Sequence, residues 1–223
     1  MERSGRHPQS QTAPGVTVGL TQTAWAVVVV WFGVSIFLGA RRFYSEHPRA
    51  IPLFVLGPVA AYMLAFALSR RLRAWTLAFD PKELVAIQMA RVGGFAFLAV
   101  YAVGQLNPKF ALWAGGLDCV IGFSAPFAAH YLTPPRTARQ RLLLLAWMAI
   151  GVLDFLVAIP LARICRLEDP ASMSALSRLP LSMIAEFFVP LAFIAYFILG
   201  AQLWRVRAGL AAGHPEVETT TSS

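Results

Sequence analysis

The chain has 223 residues, 57% of them hydrophobic and 13% charged. Soluble domains carry about 25% charged residues, so the deficit, gathered into long uncharged runs, excludes an ordinary soluble fold. The net charge of +8 comes in short basic clusters between apolar runs rather than as one basic face. That excludes a nucleic-acid surface and fits charges that flank membrane spans.

In chain order, residues 1–22 are polar, contain Pro8, Pro14 and Gly15, and are expected to form a flexible cytoplasmic arm. A bilayer core about 30 Å thick is crossed by about 20 apolar residues in a helix. Six runs meet that length: 23–40, 50–69, 84–105, 110–132, 142–162 and 181–204. The first ends at Arg41-Arg42 without a small-x-small cleavage site, so it reads as a retained span rather than a signal peptide. Asn107-Pro108 makes a tight turn between the third and fourth runs. The longest link, 163–180, contains Glu168, Asp169 and Pro170. Arg70 to Phe79 (RRLRAWTLAF) reads as a solvated basic loop, with a short interfacial helix as the alternative. Residues 206–223 read as a polar, disordered tail. The expected fold class is all-α: an integral membrane bundle of six transmembrane helices with short loops, occupying residues 23–205.

Orientation follows from counting Lys and Arg. With the N-terminus inside, inner segments hold 11 basic residues and outer segments hold 7, with Arg91 alone inside a span. The excess predicts that both termini face the cytoplasm. Cys119 and Cys165 fall at different depths, so no disulfide is expected. The four histidines are scattered, and no Cys/His spacing indicates a metal. No cofactor or metal is expected.

Charges at membrane depth are costly and by default indicate function. Four stand out: Arg91 in the third run, Asp118 in the fourth, Asp154 in the fifth and Glu186 in the sixth. A cost of about 2.5–3.5 kcal/mol each at a lipid-facing site turns them into the bundle. At about 1.5 Å per residue, Asp118 and Asp154 lie about 12 Å from one membrane face and Glu186 about 8 Å from it. Arg91 enters from the opposite face. The short turn makes the third and fourth spans neighbours, so Arg91–Asp118 is the expected pair, with Gln88 one turn away on the same helix face. Counted as ions the set sums to minus two, and burial disfavours the charged form, so at least one carboxyl is expected to carry a proton. Small residues form a second constellation: Gly93-Gly94 and Gly104 on the third span, Gly115-Gly116 and Gly122 on the fourth. They permit close helix approach. The sequence has no GxSxG, HExxH or GxxxxGK[ST], and Ser124 and His130 fall on opposite faces of one helix. No catalytic residue is assigned.

The stretch QMARVGGFAFLAVYAVGQLNPKFALWAGGLDCVIGFSAP resembles an uncharacterised family of bacterial inner-membrane proteins with the pattern QxxRxxGxxFLxxYxxGxLPxxFAxxAGxGDxxxGxxAP. WMAIGVLDFLVA resembles that family's WNxxGxxDLxxA, and LPLSMIAEFFVPLAF its LPLxxIPxFxVPL. The resemblance implies a compact helical membrane fold in a bacterial inner membrane. It puts polar motif residues at Gln88, Arg91, Asp118 and Asp154. Leu117, Met148 and the Ala185-Glu186 pair depart from the pattern, which often has Gly, Asn and a Pro there.

Two functions remain open at this level. One is small-solute or proton-linked transport through a polar site built from Gln88, Arg91, Asp118, Asp154 and Glu186. The other is an accessory or structural membrane protein in which the Arg–Asp pair pins helices. A lipid-directed enzyme ranks last for want of a nucleophile or metal set. The expected partners are the lipid bilayer, a small solute or proton, and an oligomeric or membrane partner; nucleic acid is not expected.

Overall fold

The computed structural model describes residues 14–212. Every regular element among them is helical. Six helical stretches are long and apolar enough to cross a membrane: Thr21–Ala40, Ile51–Leu68, Pro81–Ala102, Pro108–Tyr131, Ala138–Glu168 and Leu181–Arg205. They are called here the first to sixth spans. The first helix begins at Pro14 and the last runs to Ala212, inside the stretches read as arm and tail. Residues 1–13 and 213–223 lie outside the described residues.

The span ends follow local chemistry. Asp80 accepts a hydrogen bond from Lys82 N, with Pro81 at the first helical position, and Asn107 caps the fourth span in the same way ahead of Pro108. Thr137 and Gln140 form a reciprocal capping box at the start of the fifth span. These side chains satisfy amide donors that the first helical turn cannot pair. Gly104 supplies the left-handed residue of the turn before Asn107, with φ of 72°. The basic segment expected as a loop is a helix over Arg70–Thr76, capped by Ser69. Arg73 turns back to donate to the Phe66 and Ala67 carbonyls that end the second span, which satisfies orphan acceptors there.

Three spans are not continuous α-helix. The third is 3-10 over Ile87–Gly94. The fourth opens with a π-helical turn over Ala111–Gly115, and the sixth has one over Ile184–Phe188. Two residues after that last turn stands the fully buried Pro190. It has no N–H for the Glu186 carbonyl and its ring crowds that carbonyl. A regular α ladder is therefore blocked at this point, and the wider π turn takes its place.

The third to sixth spans form the packed centre. One apolar cluster holds Val85, Leu144, Phe155, Tyr196 and Leu199; the other holds Phe97, Phe110, Ala111, Cys165 and Leu181. The first and second spans pack on the periphery and leave Trp25, Val29, Leu53 and Leu64 exposed. Helices this apolar over their outer surface require a lipid environment.

Candidate functional site

The third span carries the central group, and its winding explains how. A 3-10 helix has three residues per turn, so every third side chain falls on one line. Gln88, Arg91 and Gly94 form that line and all are buried, continued by Val85 before and Phe97 after. Runs of 3-10 helix beyond three or four residues are uncommon. Here eight residues aim two polar side chains and one bare backbone into the same interior seam. Arg91 stands at the middle of the span, between the two apolar clusters.

Arg91 meets the three other inner spans at once. Its Nε donates to Asp118 Oδ1 on the fourth span at 2.7 Å. Its Nη2 donates to Asp154 Oδ2 on the fifth. Its Nη1 donates to the Gly151 carbonyl at 3.1 Å and to the Tyr196 hydroxyl on the sixth span at 3.3 Å. The guanidinium lies 4.0 Å from the centre of the Phe155 ring, within cation–π range. The fork geometry of Arg serves this purpose, since a Lys ammonium has no fixed planar array of donors. One atom of the group is left over: Asp154 Oδ1 is buried without a hydrogen-bond partner. A cavity of about 20 Å³ adjoins Arg91 and Asp118, bounded also by Gly94, Phe155, Phe188 and Ala192. That is room for about one water molecule.

Glycines set the approach of the backbones. A Cβ on Gly94 would come 2.5 Å from Asp118 Cβ and 2.9 Å from the Gly115 carbonyl. One on Gly122 would come 2.5 Å from Val92 N, and one on Gly151 would strike the Tyr196 hydroxyl. Gly93 and Gly116 face open space. Of the two Gly-Gly pairs noted in the sequence, one member of each is the packing residue.

The remaining expected residues divide. Gln88 Nε2 donates to the Ala192 carbonyl on the sixth span at 3.2 Å, so Gln88 joins the same seam without touching the carboxylates. Glu186 makes neither a hydrogen bond nor an ion pair with Arg91. It is buried on the π turn with Oε2 unpartnered. It lies close enough to Tyr44, in the short helix Phe43–Glu46 after the first span, to act on that phenol. Burial, then the Glu186 carboxylate, push the Tyr44 phenol well above its usual range, so it presents a neutral hydroxyl at any working pH. Sequence reading missed Tyr196, since a lone Tyr in an apolar run carries no special signal, and it carried Gly151 only as the glycine of the WNxxGxxDL pattern without giving it a role; Gly151 stands three residues before Asp154, one turn back on the same face. Both cysteines are free and buried. Among the described residues no group of His, Cys, Asp and Glu is placed to hold a metal.

The fold and this centre define a multi-pass helical membrane protein whose four inner spans meet on one buried arginine. The chain belongs to a family defined by a domain of unknown function (DUF8737), whose model matches residues 48–204. That match takes in the second to sixth spans, together with Gln88, Arg91, Asp118, Asp154 and Glu186. No curated protein and no solved structure matches the chain.

Proposed function

We propose that the chain works in proton-linked transport of a small solute, with the Arg91 centre as a proton-responsive lock on the four inner spans. The observation that carries this reading is one guanidinium facing two buried carboxylates, with Asp154 Oδ1 free of any hydrogen bond. With one proton shared between Asp118 and Asp154 the centre is neutral. With both ionised it carries minus one in a low-dielectric interior, where an uncompensated charge is expensive. Gain or loss of the proton thus changes the stability of the closed packing and favours a state in which the spans separate. The one-water cavity beside Asp118 gives the proton a place to enter. Irregular 3-10 and π turns in three of the four inner spans are the places where such helices yield, and π bulges recur at functional sites.

A specific observation favours a second reading. Arg91 already spends its donors on protein groups, and interior glycines pack the spans closely. In that reading the centre is a permanent pin in an accessory membrane protein.

On the motif resemblance given above and the excess of basic residues on one side, the same proposal puts the chain in a bacterial inner membrane with both termini cytoplasmic. The test is reconstitution into vesicles holding a pH-sensitive dye, with a C-terminal protease tag to report orientation. The transport reading expects dissipation of an imposed pH gradient by the wild type and its loss in Asp154→Asn. A wild-type rate equal to that of empty vesicles contradicts it and leaves the pin.

A further inference from the structure

A second polar site lies away from the Arg91 centre, where the first span and the turn after it meet the sixth. Glu186 Oε2, Tyr44 Oη and Ser182 Oγ are all buried there without a hydrogen bond of regular geometry, although the Tyr44 hydroxyl and the Glu186 carboxyl stand close enough to act on each other. Their residues are 2%, 1% and 1% exposed, which puts three under-satisfied oxygens in residues nine-tenths buried or more. Such groups are rare, because each forfeits its hydration without compensation.

The surroundings say what compensates them. Ser182 and Glu186 stand four residues apart on the sixth span, so they share a face. Ser182 Oγ fills the space beside Gly39 of the first span, 2.9 Å from where a Cβ would be. Tyr44 meets the edge of Phe54 from the second span, with ring centres 5.3 Å apart. Phe187, next to Glu186, packs on Trp31 and Phe32. The oxygens therefore sit inside an aromatic shell. Among the described residues, the ion pairs join Arg91 to Asp118 and Asp154, and Lys109 to Glu168. None offers Glu186 a cation.

We propose that Glu186, Tyr44 and Ser182 form a binding site for a small monovalent cation of the sodium class, set between the first two spans and the sixth. The donor set is all oxygen, which suits a hard cation and not a transition metal. One carboxylate balances one positive charge, and a divalent ion would leave the pocket charged. The two hydroxyls serve as neutral ligands, as the upward-shifted phenol of Tyr44 permits. This site shares no hydrogen bond or ion pair with Arg91 and does not depend on the proton-lock reading.

The experiment is thermal unfolding of the purified full chain in mild detergent at fixed pH, with sodium chloride titrated against choline chloride at constant ionic strength. A ligand that binds only the folded state raises Tm with its concentration. The expected result is a rise that follows a single-site binding curve for the wild type. Glu186→Gln weakens the apparent affinity by about tenfold or more, the scale seen when groups supporting a bound metal are removed. Tyr44→Phe, which keeps the ring and its packing on Phe54, weakens it in the same direction and stands in if Glu186→Gln fails to fold. Asp154→Asn leaves the sodium response intact. A wild-type Tm that ignores sodium overturns the proposal, as does an unchanged sodium response in Tyr44→Phe. A Tm that answers to pH but not to sodium would assign the site a proton instead, which also overturns it.

Discussion

At the residue scale, the imbalance of one Arg against two Asp makes an unequal set of mutational costs. Replacing either carboxylate alone by Asn preserves a one-to-one ion pair with Arg91, so Asp118→Asn and Asp154→Asn should each cost about 1 kcal/mol, the value of an ordinary hydrogen bond. The double variant strands a buried guanidinium and should cost about 3–5 kcal/mol. A chemical-denaturation cycle checks this: additive single effects would contradict the shared-charge description. Arg91, Asp118 and Asp154 were legible in the sequence because an ionisable residue inside an apolar run is conspicuous, and because equal depth put the two aspartates in one layer. Glu186 was placed in the same half of the membrane, but depth says nothing of rotation. The π turn over Ile184–Phe188 presents it to Tyr44 rather than to Arg91. Tyr196 was not legible, since its hydroxyl reaches Arg91 only through the packing of the sixth span against the fifth.

At the element scale, the spans themselves follow from hydropathy and caps. The first, second, fourth and sixth agree with the sequence boundaries to within about two residues at most ends. The third starts earlier, at Pro81, and the fifth runs from Ala138 to Glu168, because Asp80 and the Thr137–Gln140 box start these helices outside the apolar core. The 3-10 and π segments were not legible. Only Gly93-Gly94 and Pro190 hint at them, and both residue types also occur in regular membrane helices. The glycines give the sharper expectation. Gly94→Ala and Gly122→Ala force a Cβ into backbone or Cβ atoms of the facing span, for a loss of about 1–3 kcal/mol. Gly93→Ala and Gly116→Ala face open space and should be neutral or gain up to about 1 kcal/mol from reduced chain entropy. Thermal scans of the four variants decide it, and equal losses at all four would mean that the third and fourth spans do not approach as described.

At the scale of the whole molecule, two peripheral spans flank a four-span core, with one polar site inside the core and another at the seam between core and periphery. Six spans were readable from composition, but their arrangement was not. Which helices are inner depends on small-residue contacts and on side-chain rotation, neither of which hydropathy reports. The family match begins at residue 48, so it takes in the core and the second span while the first span lies outside it. Under the proton-linked proposal, what makes the molecule more than a stapled bundle is a single proton held between Asp118 and Asp154 at the point where the inner spans meet. Infrared spectroscopy sees it directly through the carbonyl stretch of a protonated carboxylic acid. The measurement is made at neutral pH on Glu186→Gln protein, which removes the other buried acid. One such band is expected, abolished by either Asp118→Asn or Asp154→Asn because the remaining carboxylate then pairs fully with Arg91. Absence of the band from the Glu186→Gln protein would mean that both aspartates are ionised around Arg91, and the centre would then be a fixed pin with no proton to exchange.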